Sequence, residues 1–271
     1  MIGASGVRVS EAVGVIYFLY LSTVALFVHL PLGRRWRVWG ATLLTIFVDI
    51  IVIAGSSVVS VQVLRDWLPA LVILLAYFVT GAFFVAPSSR VEAGLKGWDD
   101  RLIGRRRGEG LPPVVRLYLD LVYDACFLMI PAGFAVLVWT GHSALADRYW
   151  TLVSVAEFLA FGTLPWLQAR PPWAIETSRK TDDTAIRRFS LFWVHHTSIR
   201  ANTFPSGHAS ASLAVALALW PVVPWSAAVF GALAVSIALG SVVGRFHYAI
   251  DAITGLVLAL VIWRCAAALG M

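Results

Sequence analysis

The chain has 271 residues, 59% hydrophobic and 13% charged, with 21 Lys+Arg against 15 Asp+Glu and a net charge of +6. A soluble domain carries about 25% charged residues, so this composition excludes a water-soluble globule, and its hydrophobicity excludes a disordered chain. Cys126 and Cys265 both lie in apolar runs, which excludes a disulfide scaffold.

Apolar stretches near 12–30, 40–62, 67–86, 118–140, 149–168, 206–224, 226–244 and 247–268 predict an all-α polytopic membrane bundle of about eight transmembrane helices. The first run carries Glu11 at its start and ends in His29-Leu30-Pro31 without a small-residue cleavage site, so it reads as a helix and not a signal peptide. Ionisable residues inside spans are candidates for function, here Asp49, Asp120, Asp124 and Glu157. A proton-coupled carrier would use Asp49 and Glu157. The plainer reading makes each a buried carboxylate bonded to Ser, Thr or Tyr of a neighbouring helix.

Between the third and fourth spans, Val91, Leu95, Trp98 and Leu102 recur at helical spacing among charged residues, which predicts an amphipathic helix lying in the membrane interface. In the loop after the fifth span, Asp183 or Thr184 can cap a short helix bearing Ile186, Phe189 and Phe192. His195 and His196 are adjacent, hence on different helix faces, and read as polar loop residues.

The loops near 31–39, 87–117, 169–205 and 245–246 hold all the Lys and Arg except Arg8, Arg65, Arg148 and Arg264. By the positive-inside rule those loops face the cytoplasm and both termini lie outside. Short basic clusters between apolar runs fit loop orientation and anionic lipid better than nucleic acid.

Three segments on the basic face carry chemistry. Asn202-Thr203-Phe204-Pro205-Ser206-Gly207-His208 enters the sixth span, where proline suits the first helical position and the amides of Ser206, Gly207 and His208 can form an anion nest beside the His208 imidazole. Gly244-Arg245-Phe246-His247-Tyr248-Ala249-Ile250-Asp251 opens the last span. If it is helical from 247, Asp251 can orient His247 as a nucleophile. Arg170-Pro171-Pro172-Trp173 follows the fifth span and offers a guanidinium suited to phosphate. No other His, Asp, Glu or Cys group has metal-ligand spacing, so neither a metal nor another cofactor is expected.

Together these segments resemble the type 2 phosphatidic acid phosphatase superfamily, whose signatures are Lys-x6-Arg-Pro, Pro-Ser-Gly-His and Ser-Arg-x5-His-x3-Asp. The resemblance implies a six-helix core over 67–271, preceded by two extra helices in 1–66, as one structural unit. It implies metal-free phosphoryl transfer in which His247 attacks phosphorus, Asp251 orients it and His208 protonates the leaving oxygen. Arg170 and the amides of Ser206 and Gly207 would hold the phosphate oxygens. Two positions depart from the pattern: Thr163 stands where the family has lysine, and Ser241 where it has its second arginine. Arg245, one helical turn after Ser241, and Arg200, six residues before Ser206, are the candidates to supply the missing charge.

The expected function is a membrane lipid phosphatase acting on a phosphomonoester or pyrophosphate through a phosphohistidine. A head-group phosphotransferase of the same family and a catalytically silent carrier are the alternatives. The expected partners are a lipid phosphate substrate and membrane lipids, with no nucleic acid. The expected location is a bacterial inner membrane, with the active site facing the cytoplasm.

Overall fold

The computed structural model describes residues 6–104, 110–175, 188–189, 192, 196 and 198–270. Ten α-helices and no β-strand occur among the described residues: α1 (Val9–Phe27), α2 (Leu32–Ala54), α3 (Val59–Thr80), α4 (Ser89–Ile103), α5 (Pro113–Asp124), α6 (Cys126–Trp139), α7 (Ala146–Phe161), α8 (Gly207–Leu219), α9 (Pro224–Val243) and α10 (Ala249–Ala268). Pro31 and Pro112 precede α2 and α5 and Pro224 opens α9, where a missing N–H is harmless, whereas Pro69 and Pro131 lie inside α3 and α6.

Each of the eight apolar segments becomes helical, yet fewer of them reach spanning length. Five helices (α1, α2, α3, α9 and α10) are long and apolar enough to cross a membrane, and the α5–α6 pair makes a sixth if counted as one span bent by 65°. The chain is a polytopic membrane protein with an all-α bundle. The segment at 149–168 is shorter than expected because its helix stops at Phe161, before a run of turns, and the segment at 206–224 gives only the 13 residues of α8. The proposed cap at 183–184 and His195 lie outside the described residues. His196 is exposed, its Nδ1 2.7 Å from the Phe192 carbonyl.

Helix α7 forms the axis of the bundle, with buried residues on every side, from Tyr149 and Trp150 to Phe158 and Phe161. That is the signature of a helix with no solvent face. Against it α1 stacks Tyr17 on Phe158 with ring centroids 4.4 Å apart and planes 10° apart. Helices α8 and α10 cross closely because Gly255 lacks a side chain: a Cβ there would meet the Ser206 carbonyl at 2.5 Å and the Ala209 methyl at 3.1 Å. Small residues at such crossings let helices approach where no hydrophobic effect drives them together.

At the end of the bundle away from the three motifs, α1, α3 and α7 are joined by charge. Arg65 donates to both carboxylate oxygens of Glu11, its Nη2 lying 2.8 Å from Oε2, and Arg8 pairs with Asp66 at 2.6 Å. Asp147 accepts from the Ser10 amide and hydroxyl. Asp49 lines a small cavity shared with Glu11, Arg65 and Ser154, so its neighbours include an arginine that the sequence did not place there.

Candidate active site

The three motif segments lie far apart in sequence, and backbone hydrogen bonds fasten them together. Ala169 and Asn202 form an antiparallel bridge, with the Asn202 amide donating to the Ala169 carbonyl at 2.8 Å. The Ser206 amide donates to the Asp251 carbonyl at 2.9 Å, and the Trp173 amide to the Arg245 carbonyl at 2.9 Å. Each motif therefore holds its neighbour by main chain, independent of side-chain identity.

Helix α8 begins at Gly207 with Ser206 as its cap, the serine hydroxyl accepting from the Ala209 amide at 3.3 Å. The expected nest is thereby reshaped. The Ser206 amide is taken by Asp251 and its side chain by Ala209, which leaves the amides of Gly207 and His208 as the ones beside the cleft; the Gly207 amide has only a long contact, 3.5 Å, to the Thr203 hydroxyl. Gly207 is required by close packing: a Cβ there would lie 2.6 Å from both Glu157 Oε2 and the Phe161 ring.

His247 precedes the last helix, since α10 starts at Ala249 with Tyr248 as its cap. The i, i+4 pairing therefore forms as a helix cap and not along a helical face. Asp251 Oδ2 accepts from the Tyr248 amide at 2.9 Å and lies 3.4 Å from His247 Nδ1. Asp251 is fully buried and His247 nearly so. With Nδ1 donating to the carboxylate, Nε2 keeps its lone pair. The rings of His208 and His247 have centroids 5.8 Å apart and planes at 80°. Both line one cleft with Tyr77, Tyr123, Asp124 and Phe127, a space of about 590 Å³ counting its open mouth. Phe127, Tyr123 and Tyr77 ring His208 at centroid distances of 4.9, 5.6 and 6.4 Å.

The arginines behave differently from the sequence expectation. Helix α9 ends at Val243, and Arg245 follows with φ 63, so it is not a helical turn above Ser241. Instead the Ser241 carbonyl accepts from the amides of Phe246 and His247 at 2.8 and 3.0 Å, closing the turn that presents His247. The Arg245 guanidinium donates to Asp99 of α4 at 2.9 Å. Asp99 is fully buried, and its other oxygen accepts from the Ala249 amide at 2.8 Å. Arg170 forks onto Glu92 of the same helix, Nε and Nη2 each 2.9 Å from an oxygen, with its own amide donating at 3.0 Å. The Arg170 side chain holds the Glu92 carboxyl below the usual carboxylate range. Arg200 has φ 57, and its amide donates to the Ser198 hydroxyl at 2.8 Å. None of the three arginines is among the described lining of the cleft. Thr163, at the place of the family's lysine, lies in the turn after α7 and donates to the Ala160 carbonyl at 2.8 Å.

Helix α4 is thus more than a surface connector. Leu95 and Asp99 face inward and are buried, while Trp98 and Leu102, expected on the same apolar face, are about half exposed. Sequence reasoning also placed Glu157 among possible carrier groups. The structure sets it beneath Gly207, 3% exposed, with no hydrogen-bond partner on Oε2 among the described residues. Asn202 is a further buried neighbour of Asp251. Among the described residues no three His, Cys, Asp or Glu side chains converge as a metal site.

A family model described as the PAP2 superfamily matches residues 111–265, more than half of the chain. The chain belongs to the PAP2 superfamily. The match takes in all three motif segments and helices α5 to α9 entire, with most of α10. PAP2 membership supports a phosphatase-type function. Helix α4 lies outside the matched segment, yet it is the element that grips Arg170 and Arg245. Comparison with curated proteins and with solved structures finds no significant match.

Proposed function

We propose that the protein is a membrane lipid phosphatase working through a phosphohistidine. The single observation that carries this reading is the pair of imidazoles in one cleft, 5.8 Å apart, with Asp251 behind His247. Nε2 of His247 attacks phosphorus as the ester P–O bond breaks, and His208 gives its proton to the leaving oxygen. Water then attacks phosphorus, His208 takes the water's proton, and the P–N bond breaks to restore His247. Asp251 keeps Nδ1 protonated and supports the positive imidazole as the P–N bond forms. The amides of Gly207 and His208, at the α8 N-terminus, supply donors for the phosphate oxygens. These steps draw on side chains and amides alone.

The same two steps with an alcohol in place of water make a head-group phosphotransferase. The five long apolar helices of the bundle favour a lipid over a soluble phosphate, because a lipid can reach the cleft laterally from the bilayer. For sidedness, the Lys and Arg excess in the loops that carry the motifs supports an active site facing the cytoplasm of a bacterial inner membrane.

The test uses purified protein with lipid phosphates in mixed micelles. Expected are transfer that survives a chelator, inhibition by vanadate, and an acid-labile phosphate on His247 that is lost in His247→Ala. Undiminished turnover in His247→Ala overturns the mechanism. Membrane-impermeant labelling of single cysteines at Gly110 and Ser143, in a chain lacking Cys126 and Cys265, tests orientation. Reaction at 110 with protection at 143 on intact cells reverses it.

A further inference from the structure

Two positions where the motifs should offer positive charge to phosphate already carry a carboxylate, and both carboxylates come from one helix. Glu92 and Asp99 are seven residues apart on the inner side of α4. Glu92 takes the whole fork of Arg170, and Asp99 takes one arm of Arg245 while its second oxygen binds the Ala249 amide at the start of α10. The geometry at Arg170 is what a phosphate would adopt on the same guanidinium: two parallel N–H donors to two oxygens of one anion. These contacts set two positive charges against two negative ones within the motif shell.

A phosphomonoester brings a charge of about −1.5 to −2 at neutral pH, and a phosphodiester brings −1. None of these four side chains is among the described lining of the cleft, so they act on it through their summed field: arginines already neutralised by Glu92 and Asp99 leave little positive potential to hold a second negative charge. We propose that α4 sets the substrate class: the site is charge-matched to a lipid phosphodiester, and Glu92 and Asp99 are the specificity-determining residues that act through Arg170 and Arg245. The inference rests on the phosphohistidine reading and moves its substrate from a lipid phosphomonoester to a lipid phosphodiester. In the reaction His247 Nε2 forms a bond to phosphorus while one of the two ester P–O bonds breaks, and the leaving oxygen takes the His208 proton. The remaining phosphoester stays on His247 until water or an alcohol attacks phosphorus, loses its proton to His208 and breaks the P–N bond.

The experiment compares kcat/KM of the full chain on a monoester, phosphatidate, with that on three diesters, phosphatidylcholine, phosphatidylethanolamine and phosphatidylglycerol, at equal mole fraction in mixed micelles. The wild type is expected to favour at least one diester. Glu92→Gln, which keeps the shape but removes the charge beside Arg170, is expected to move the diester-to-monoester ratio toward phosphatidate by about tenfold, the worth of one charge-assisted hydrogen bond. A general loss of folding would lower both rates and leave the ratio alone, so the ratio reads specificity and not integrity. A wild-type preference for phosphatidate overturns the inference and leaves the phosphohistidine reading standing. A diester preference that Glu92→Gln does not move overturns the role given to Glu92. Absence of His247-dependent transfer from all four lipids overturns the reading beneath it as well.

Discussion

The two ends of the bundle both bury charge, and they use it in opposite ways. At the end holding Glu11, Arg65, Arg8, Asp66 and Asp147, Arg65 pairs with Glu11 and Arg8 with Asp66, while Asp147 of α7 accepts from the start of α1. At the motif end, arginines are likewise tied to carboxylates, but two imidazoles stand apart from those pairs and face a cleft. A buried ion pair fixes helix registry, whereas an imidazole that lines a cleft is placed to meet a substrate. Burial of charge therefore says little about function until each charge's partner is known.

The comparison breaks most visibly at the histidines. His247→Ala and His208→Ala are each expected to lower lipid-phosphate turnover by on the order of a hundredfold or more, while the protein still purifies as a monodisperse species. Wild-type-like rates in either variant would erase the difference between the two ends. Gly207→Ala should come next, because its Cβ would press on the Glu157 carboxyl and the Phe161 ring behind the first turn of α8. Loss of activity together with a lowered unfolding temperature is the expected result, and retention of both would show that the turn can shift freely.

At the opposite end, Arg65→Met strands the buried Glu11 carboxylate and is expected to cost about 3–5 kcal/mol of stability. The specific activity of the folded fraction should hold. Denaturation in detergent paired with an activity assay checks both halves, and a lost activity without lost stability would make that end functional too. Asp251→Asn should be milder than loss of His247, since it preserves the cap on the Tyr248 amide and weakens only the charge behind the imidazole.

The smallest effect concerns Glu92. Its carboxyl lies below the ordinary range because of Arg170, so the contact contributes fully above the unfolded-state value and is lost only as pH falls through the lower folded-state value. An environment-sensitive fluorophore on a single cysteine at Leu102 should report a steady α4 through the ordinary carboxylate range and a change only below it. A change centred within that range would mean that Arg170 does not hold the helix.

The sequence announces the helices through their apolar runs, and the motif histidines through their spacing and their places at helix starts. It hides what depends on partners brought from elsewhere in the chain. Arg245 reads as one turn beyond Ser241 only while α9 is assumed to continue; its end at Val243 redirects the guanidinium to Asp99. Glu92 and Asp99 share a helix face by their seven-residue spacing, a signal present in the sequence, but nothing local says that two arginines wait opposite. Ser206 looks like an anion donor until α10 arrives with the Asp251 carbonyl. Glu157 looks like any buried acid until Gly207 is packed against it.

Helix α8 has 13 residues and so rises only about 20 Å, against a hydrocarbon layer of about 30 Å. Trp220 and Trp225, both more than half exposed just beyond its far end, suit the aromatic belt of that interface. The end that stops short is then the one bearing His208, and on the proposed reading this sets the reacting atoms below the plane of the membrane surface. A lipid reaches such a place by diffusing sideways among its neighbours. Its effective concentration is a mole fraction in two dimensions, and diluting it with inert lipid at constant bulk amount should slow the reaction in proportion.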